Sequence, residues 1–83
     1  MDNRAVVILK IFKRNFQVDL EIPLNITAND LVVALNDAYE LGIDVLDIKQ
    51  CYLKCENPIA LLKGKKTLRE YGVRNGTVIN FTE

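Results

Sequence analysis

Two groups of residues in this chain have types and spacings that bear on chemistry. The first is Cys51 and Cys55. A thiol pair suggests a metal site or a redox couple, so the spacing has to be tested against both. On a strand, residues four apart share a face but stand about 13 Å from each other. A disulfide needs Cα atoms within about 7 Å. The chain has no His and only these two Cys, so nothing completes a zinc site. The expectation is two small buried thiols in a reducing compartment, with no metal and no cofactor. The second group is Lys63, Lys65 and Lys66, with Arg69 close behind. This is the densest basic cluster. It reads either as a solvated loop or as a docking patch for an acidic partner or lipid headgroups. No aromatic platform interleaves the lysines, which argues against nucleic acid. The acids Asp30, Asp37, Glu40, Asp44 and Asp47 favour the helical part of the chain and give it the opposite sign.

The rest of the composition narrows the field. The chain has 83 residues, which is one domain, 1–83, with a single core and little room for a deep substrate pocket. Lys+Arg and Asp+Glu both count 11, so no net field draws the chain to nucleic acid or anionic lipid. The lack of His removes the usual general base, and an enzyme is not expected. The longest unbroken apolar run, Ala5 to Leu9, is far short of the roughly 18 residues a membrane span needs. No signal-peptide pattern is visible, and the expected location is the cytoplasm.

The elements that would position these residues follow from periodicity. Val7, Leu9 and Ile11 alternate with Ile8, Lys10 and Phe12, and Val18, Leu20 and Ile22 alternate with Gln17, Asp19 and Glu21. Both sets read as strands. Pairing Ile11 with Val18, Leu9 with Leu20 and Val7 with Ile22 makes a hairpin turning at Arg14-Asn15. Thr27 to Leu41 reads as a helix capped by Thr27, with Asp30 at the capping-box position and an apolar stripe of Leu31, Ala34, Leu35, Ala38 and Leu41. Gly42 is placed as the residue that ends it. Cys51, Leu53 and Cys55 mark a third strand, and Ile59 to Leu62 a short edge strand after Pro58. Thr67-Leu68-Arg69-Glu70 is a second capping-box pattern, stopped by Gly72. Asn75-Gly76 is a tight-turn signal before a last strand, Thr77 to Phe81.

Hairpin, helix, strand, short strand, helical turn, strand is the β-grasp order, and the chain resembles ubiquitin-like proteins. The stretch Thr67 to Phe81 carries most of the likeness, with Leu20-Glu21-Ile22-Pro23, the Thr27 cap and Gly42-Ile43 beside it. The resemblance implies an α+β fold: a mixed sheet in the order 2-1-5-3-4 with one main helix across one face. Within that superfamily the chain is most similar to the YukD/EsaB group associated with bacterial type VII secretion. The features in common are its length, the strand pair around Cys51–Cys55 and Ile59–Leu62, and the ending Tyr71-Gly72-Val73-Arg74-Asn75-Gly76 followed by a terminal strand. That resemblance implies a cytoplasmic accessory or regulatory component that binds protein partners of the secretion machinery. The alternative within the fold is a modifier or sulfur carrier activated at its C-terminus. Such proteins need a pliable Gly-Gly end, whereas this sequence reads Asn80-Phe81-Thr82-Glu83, so conjugation is not expected.

The strand frame itself points to a surface. If Val7, Leu9 and Ile11 face the helix, then Val6, Ile8 and Phe12 face away. The neighbouring strands would add Tyr52 and Val78. Contiguous apolar residues on a surface often mark an interface. This outer sheet face is the first candidate for partner binding or homodimer formation, and the lysine cluster is the second.

Overall fold

The computed structural model describes residues 3–82. Five strands form one mixed sheet: β1 (Arg4–Ile11), β2 (Phe16–Pro23), β3 (Leu53–Glu56), β4 (Ala60–Leu62) and β5 (Val78–Phe81), in the order β2-β1-β5-β3-β4. β1 runs parallel to β5, and every other neighbouring pair is antiparallel. One main helix, α1 (Ala28–Tyr39), covers one face, and a single helical turn, α2 (Leu68–Tyr71), leads into β5. The expected α+β β-grasp plan and its strand order are those of the structure.

The inward residues are the ones that alternation selected. Val7, Leu9, Ile11, Leu53 and Ile79 are sealed from solvent beneath α1. Register is another matter. The hairpin pairs Leu9 with Val18, Val7 with Leu20 and Ala5 with Ile22, two residues away from the predicted pairing. A shift of two keeps every side chain on its face, which is why the core prediction survived it. The cause is the turn. A 3-10 turn at Phe12–Arg14 closes on Asn15, whose φ of 49° is left-handed and whose N–H donates to the Phe12 carbonyl at 3.1 Å. The connection is therefore four residues long rather than two.

In α1 the Thr27 hydroxyl accepts from the Asp30 N–H at 3.1 Å, as the cap pattern predicted. The buried side is Ala28, Leu31, Val32 and Leu35. Ala34 and Ala38, placed in the predicted stripe, are exposed, and the helix ends at Tyr39 rather than Leu41. Both stripes have the 3.6-residue period. Alanine gains little from burial, so Val32 decides how the helix rolls. Its end is set by Glu40, which takes the left-handed conformation with φ 51° ahead of Gly42. Arg14 secures that end by donating to the Tyr39 and Glu40 carbonyls, both at 2.5 Å. The Phe16 and Tyr39 rings meet beside it, with centroids 5.8 Å apart.

The second half is tied by side-chain hydrogen bonds. Asn36 bonds both the N–H and the carbonyl of Ile43, at 2.8 and 3.1 Å, and fixes the start of the 43–52 connection. Around α2 the capping box is complete: the Thr67 hydroxyl accepts from Glu70 N–H and the Glu70 carboxylate accepts from Thr67 N–H. In the turn before β5, the Asn75 side chain accepts from Val6 N–H at 2.7 Å. Thr77, fully buried, donates to the Asn57 carbonyl at 2.6 Å. In the Thr67–Phe81 stretch, Thr67, Glu70, Tyr71, Asn75 and Thr77 thus spend their side chains on backbone groups.

Candidate protein-interaction site

The solvent face of the sheet is ordered in rows by the strand pairing. Ile8 stands opposite Val78 on β5 and Asp19 on β2, and Val78 stands opposite Glu56 on β3. Val6 stands opposite Glu21. The apolar group Val6, Ile8 and Val78 therefore has carboxylates on both flanks. The next row is polar throughout: Gln17, Lys10, Asn80 and Lys54. Phe12 and Tyr52 lie beyond that row, Phe12 in the 3-10 turn and Tyr52 one residue ahead of β3. The five predicted residues all lie outside the core, with Val6 and Phe12 the most exposed. They fall into two groups rather than one patch. Alternation assigned each side chain to a face but did not give its place along the strand.

Asn80 separates the two groups. It is on the outer face yet only 8% exposed. Its amide nitrogen donates to Glu56 at 2.7 Å, and its carbonyl oxygen has no partner among the described residues. Lys10 and Lys54 stand opposite it on the flanking strands.

The basic cluster also divides. Lys63 and Lys65 line one bank of a groove of about 740 Å³. Lys66 places its ammonium 4.7 Å from the centroid of the Tyr71 ring, a cation–π contact. Arg69 is drawn elsewhere, donating to Asn3 at 2.7 Å. The opposite bank of that groove was missed in the sequence. Leu46 is 94% exposed and Ile48 85% exposed, with Val45 beside them. Their signal is an aliphatic run with neither helical nor strand period, broken by Asp44 and Asp47. Those two acids make the bends: Asp44 accepts from Leu46 N–H and Asp47 from Lys49 N–H.

Both cysteines are buried and unpaired. Cys51 lies before β3 rather than within it, and its thiol donates to the Asn29 side chain at 3.1 Å. Burial pushes that thiol's pKa up, and the Asp44 carboxylate adds to the rise. The Cys55 thiol donates to the Pro58 carbonyl at 3.1 Å and is likewise raised by burial, which outweighs an opposing hydrogen bond from Ala60. Among the described residues, no group of three or more His, Cys, Asp or Glu side chains is placed to hold a metal ion. No helix among them is long and apolar enough to cross a membrane. Phe81, in the last strand, is buried; Glu83 lies outside the described residues.

A parallel β1–β5 pair at the centre of the sheet, with one helix laid across it and a capped turn before β5, defines the class: this is a ubiquitin-like protein. Solved structures agree on the fold. A designed protein based on ubiquitin has a TM-score of 0.67 at 12% identity, covering 96% of this chain and 88% of its own. The ubiquitin-like domain of Plasmodium falciparum Dsk2 has a TM-score of 0.60 at 23% identity, covering 93% and 96%. The C-terminal ubiquitin-like domain of mouse tubulin-specific chaperone e has a TM-score of 0.67 at 13% identity, covering 98% and 89%. The family model for YukD, a protein of the WXG100 protein secretion system, matches residues 6–80, and the chain belongs to that family. A search of curated proteins gives no match.

Proposed function

We propose that this chain is a non-enzymatic binding module that acts by non-covalent contact with a protein partner. Its setting is the cytoplasmic side of the WXG100, or type VII, secretion system, as an accessory or regulatory component. Membership of the YukD family supports the setting. The observation that carries the binding role is the Ile8–Val78 pair. Two aliphatic side chains face each other on the solvent side of the sheet, with Val6 along the strand and Asp19, Glu21 and Glu56 at the flanks. An apolar centre with a charged rim is the anatomy of a protein interface. The rim carries both signs, with Asp19, Glu21 and Glu56 at the flanks and Lys10 and Lys54 in the next row, so a matching partner carries an apolar anchor within a border of mixed charge. Phe12 and Tyr52, beyond the polar row, extend the contact at its periphery.

The test is affinity capture of secretion components by the wild-type chain and by Ile8→Lys. Lysine at this position stands opposite Asp19, so the variant keeps its fold, which circular dichroism checks. Ile8→Lys is expected to lose the secretion component, and Phe12→Ser to weaken its capture to a smaller extent. A folded Ile8→Lys that captures the same component in the same amount would assign binding to another surface.

A further inference from the structure

We infer that the groove between the 45–51 connection and the Lys63–Lys66 turn is a second docking site, and that its occupant is a short acidic, aliphatic-rich segment of a partner protein. The inference rests on the binding-module reading for the class of partner, but it uses a surface remote from the Ile8–Val78 pair.

Three observations converge on it. The first is the apolar bank. Leu46 and Ile48 are 94% and 85% exposed, although burial of an aliphatic side chain of this size is favourable. Val45 and the Tyr71 ring continue this bank across the floor. The second is the facing bank, where Lys63 and Lys65 have no ion pair among the described residues. The one acid lining the groove is Asp30, and the Asp44 carboxylate that acts on Cys51 belongs to the apolar bank, so the positive charge is confined to the lysine bank. Helix α1 adds nothing to anion binding here, because its first N–H groups are taken: Ala28 N–H by the Lys66 carbonyl, Asn29 N–H by the Gly64 carbonyl and Asp30 N–H by Thr27. An acidic ligand is therefore selected by the lysine ammoniums themselves.

The third observation is rigidity. The Lys63–Lys66 turn is held at three carbonyls: Lys63 by the Tyr71 hydroxyl at 2.8 Å, Gly64 by Asn29 N–H at 2.9 Å and Lys66 by Ala28 N–H at 2.9 Å. The other bank is held by Asn36 on Ile43, by the two Asp bends and by the Cys51–Asn29 bond. A preformed groove spares the ordering cost that weakens most loop-built sites. Aliphatic side chains of the ligand settle on Leu46, Ile48 and Val45, and its carboxylates reach across to Lys63 and Lys65. A lipid surface fits less well, since the groove is concave and its aliphatic bank faces the lysines across a gap.

The test is a selection of short random peptides displayed against the folded full chain, followed by affinity measurement of the winners. Selected peptides are expected to combine aliphatic residues with Asp or Glu. Their affinity is expected to fall about tenfold or more on Leu46→Ser/Ile48→Ser, as loss of an apolar anchor gives. It should also fall on Lys63→Glu/Lys65→Glu, with the salt dependence lost, and be unchanged by Ile8→Lys. Both double variants alter exposed side chains, and circular dichroism verifies their fold. Peptides that bind Leu46→Ser/Ile48→Ser as tightly as wild type, peptides of basic character, or no enrichment would overturn the proposal. So would binding to phosphatidylglycerol vesicles that depends on Lys63 and Lys65 while no peptide is enriched. If peptides depend on Ile8 and ignore the groove, the groove fails and the binding-module reading stands.

Discussion

The hydroxyl of Tyr71 donates to the backbone carbonyl of Lys63 at 2.8 Å, joining the end of α2 to the turn that leaves β4. One side chain thereby does two things. Its oxygen fixes the Lys63 backbone, and its ring face receives the Lys66 ammonium. Position 71 therefore sets the geometry of the lysine turn, while its ring also packs against the core.

Tyr71→Phe separates these roles. It keeps the ring and removes the hydroxyl, which donates to the Lys63 carbonyl and accepts at a longer 3.4 Å from the Lys63 N–H. A loss of about 0.5–1.5 kcal/mol is expected, the usual net value of one hydrogen bond, since the freed carbonyl is at the surface and regains water. Urea midpoints measure the loss. Faster amide exchange at Asn29, whose N–H is held by Gly64 in the same turn, would show that the turn has loosened.

Thr67→Ala removes the hydroxyl that caps α2, and a loss of about 1 kcal/mol is expected. An unchanged denaturation midpoint would contradict the capping role. The same box sets a pH dependence. The Thr67 backbone N–H, then its hydroxyl, hold the Glu70 carboxyl below the usual carboxylate range. A folded-state pKa lowered in this way contributes stability above the unfolded pKa, and that contribution is lost as pH falls through the folded one. Glu70→Gln keeps the acceptor without the charge. The stability difference between wild type and Glu70→Gln should therefore favour wild type at neutral pH and shrink on acidification below the ordinary carboxylate range.

Cys51 and Cys55 are expected to react slowly with a thiol reagent in the native protein and fast in urea. Burial both blocks access and raises their pKa, so little thiolate is present near neutrality. Kinetics with a chromogenic disulfide measure this. Rapid native labelling of either residue would contradict its packing.

Arg14→Ala removes both donors from the Tyr39 and Glu40 carbonyls. The site is exposed, so the expected loss is small, about 1 kcal/mol. Faster amide exchange at Leu41, whose N–H closes the end of α1 on Asn36, is the specific readout. An unchanged rate would mean that the helix end holds without the clamp.

These residues show what can be read from a sequence of this kind and what cannot. Period-two alternation names faces, so Val7, Leu9 and Ile79 were legible as core and Val6, Ile8 and Val78 as surface. Alternation is blind to a shift of two, so the hairpin register was not legible; it depends on a turn whose length is set by Asn15 going left-handed. The Thr67–Glu70 box was legible because reciprocal capping has a fixed spacing. The roll of α1 was not, because alanines fill a helical period without enough burial energy to enforce it. The Leu46–Ile48 bank was invisible for a different reason. Aliphatic residues in a connection without period take their position from side-chain bends and from the elements that flank them, which only the folded chain brings together.

The central claim is that the Ile8–Val78 surface binds a secretion component without covalent linkage. Calorimetric titration of that component, purified after capture, into the wild-type chain and into Ile8→Lys tests it most directly. Saturable binding is expected for wild type, with affinity weakened by about 2 kcal/mol or more in Ile8→Lys, the loss typical of an anchor at an interface centre. Equal affinities for the two folded proteins would contradict the claim.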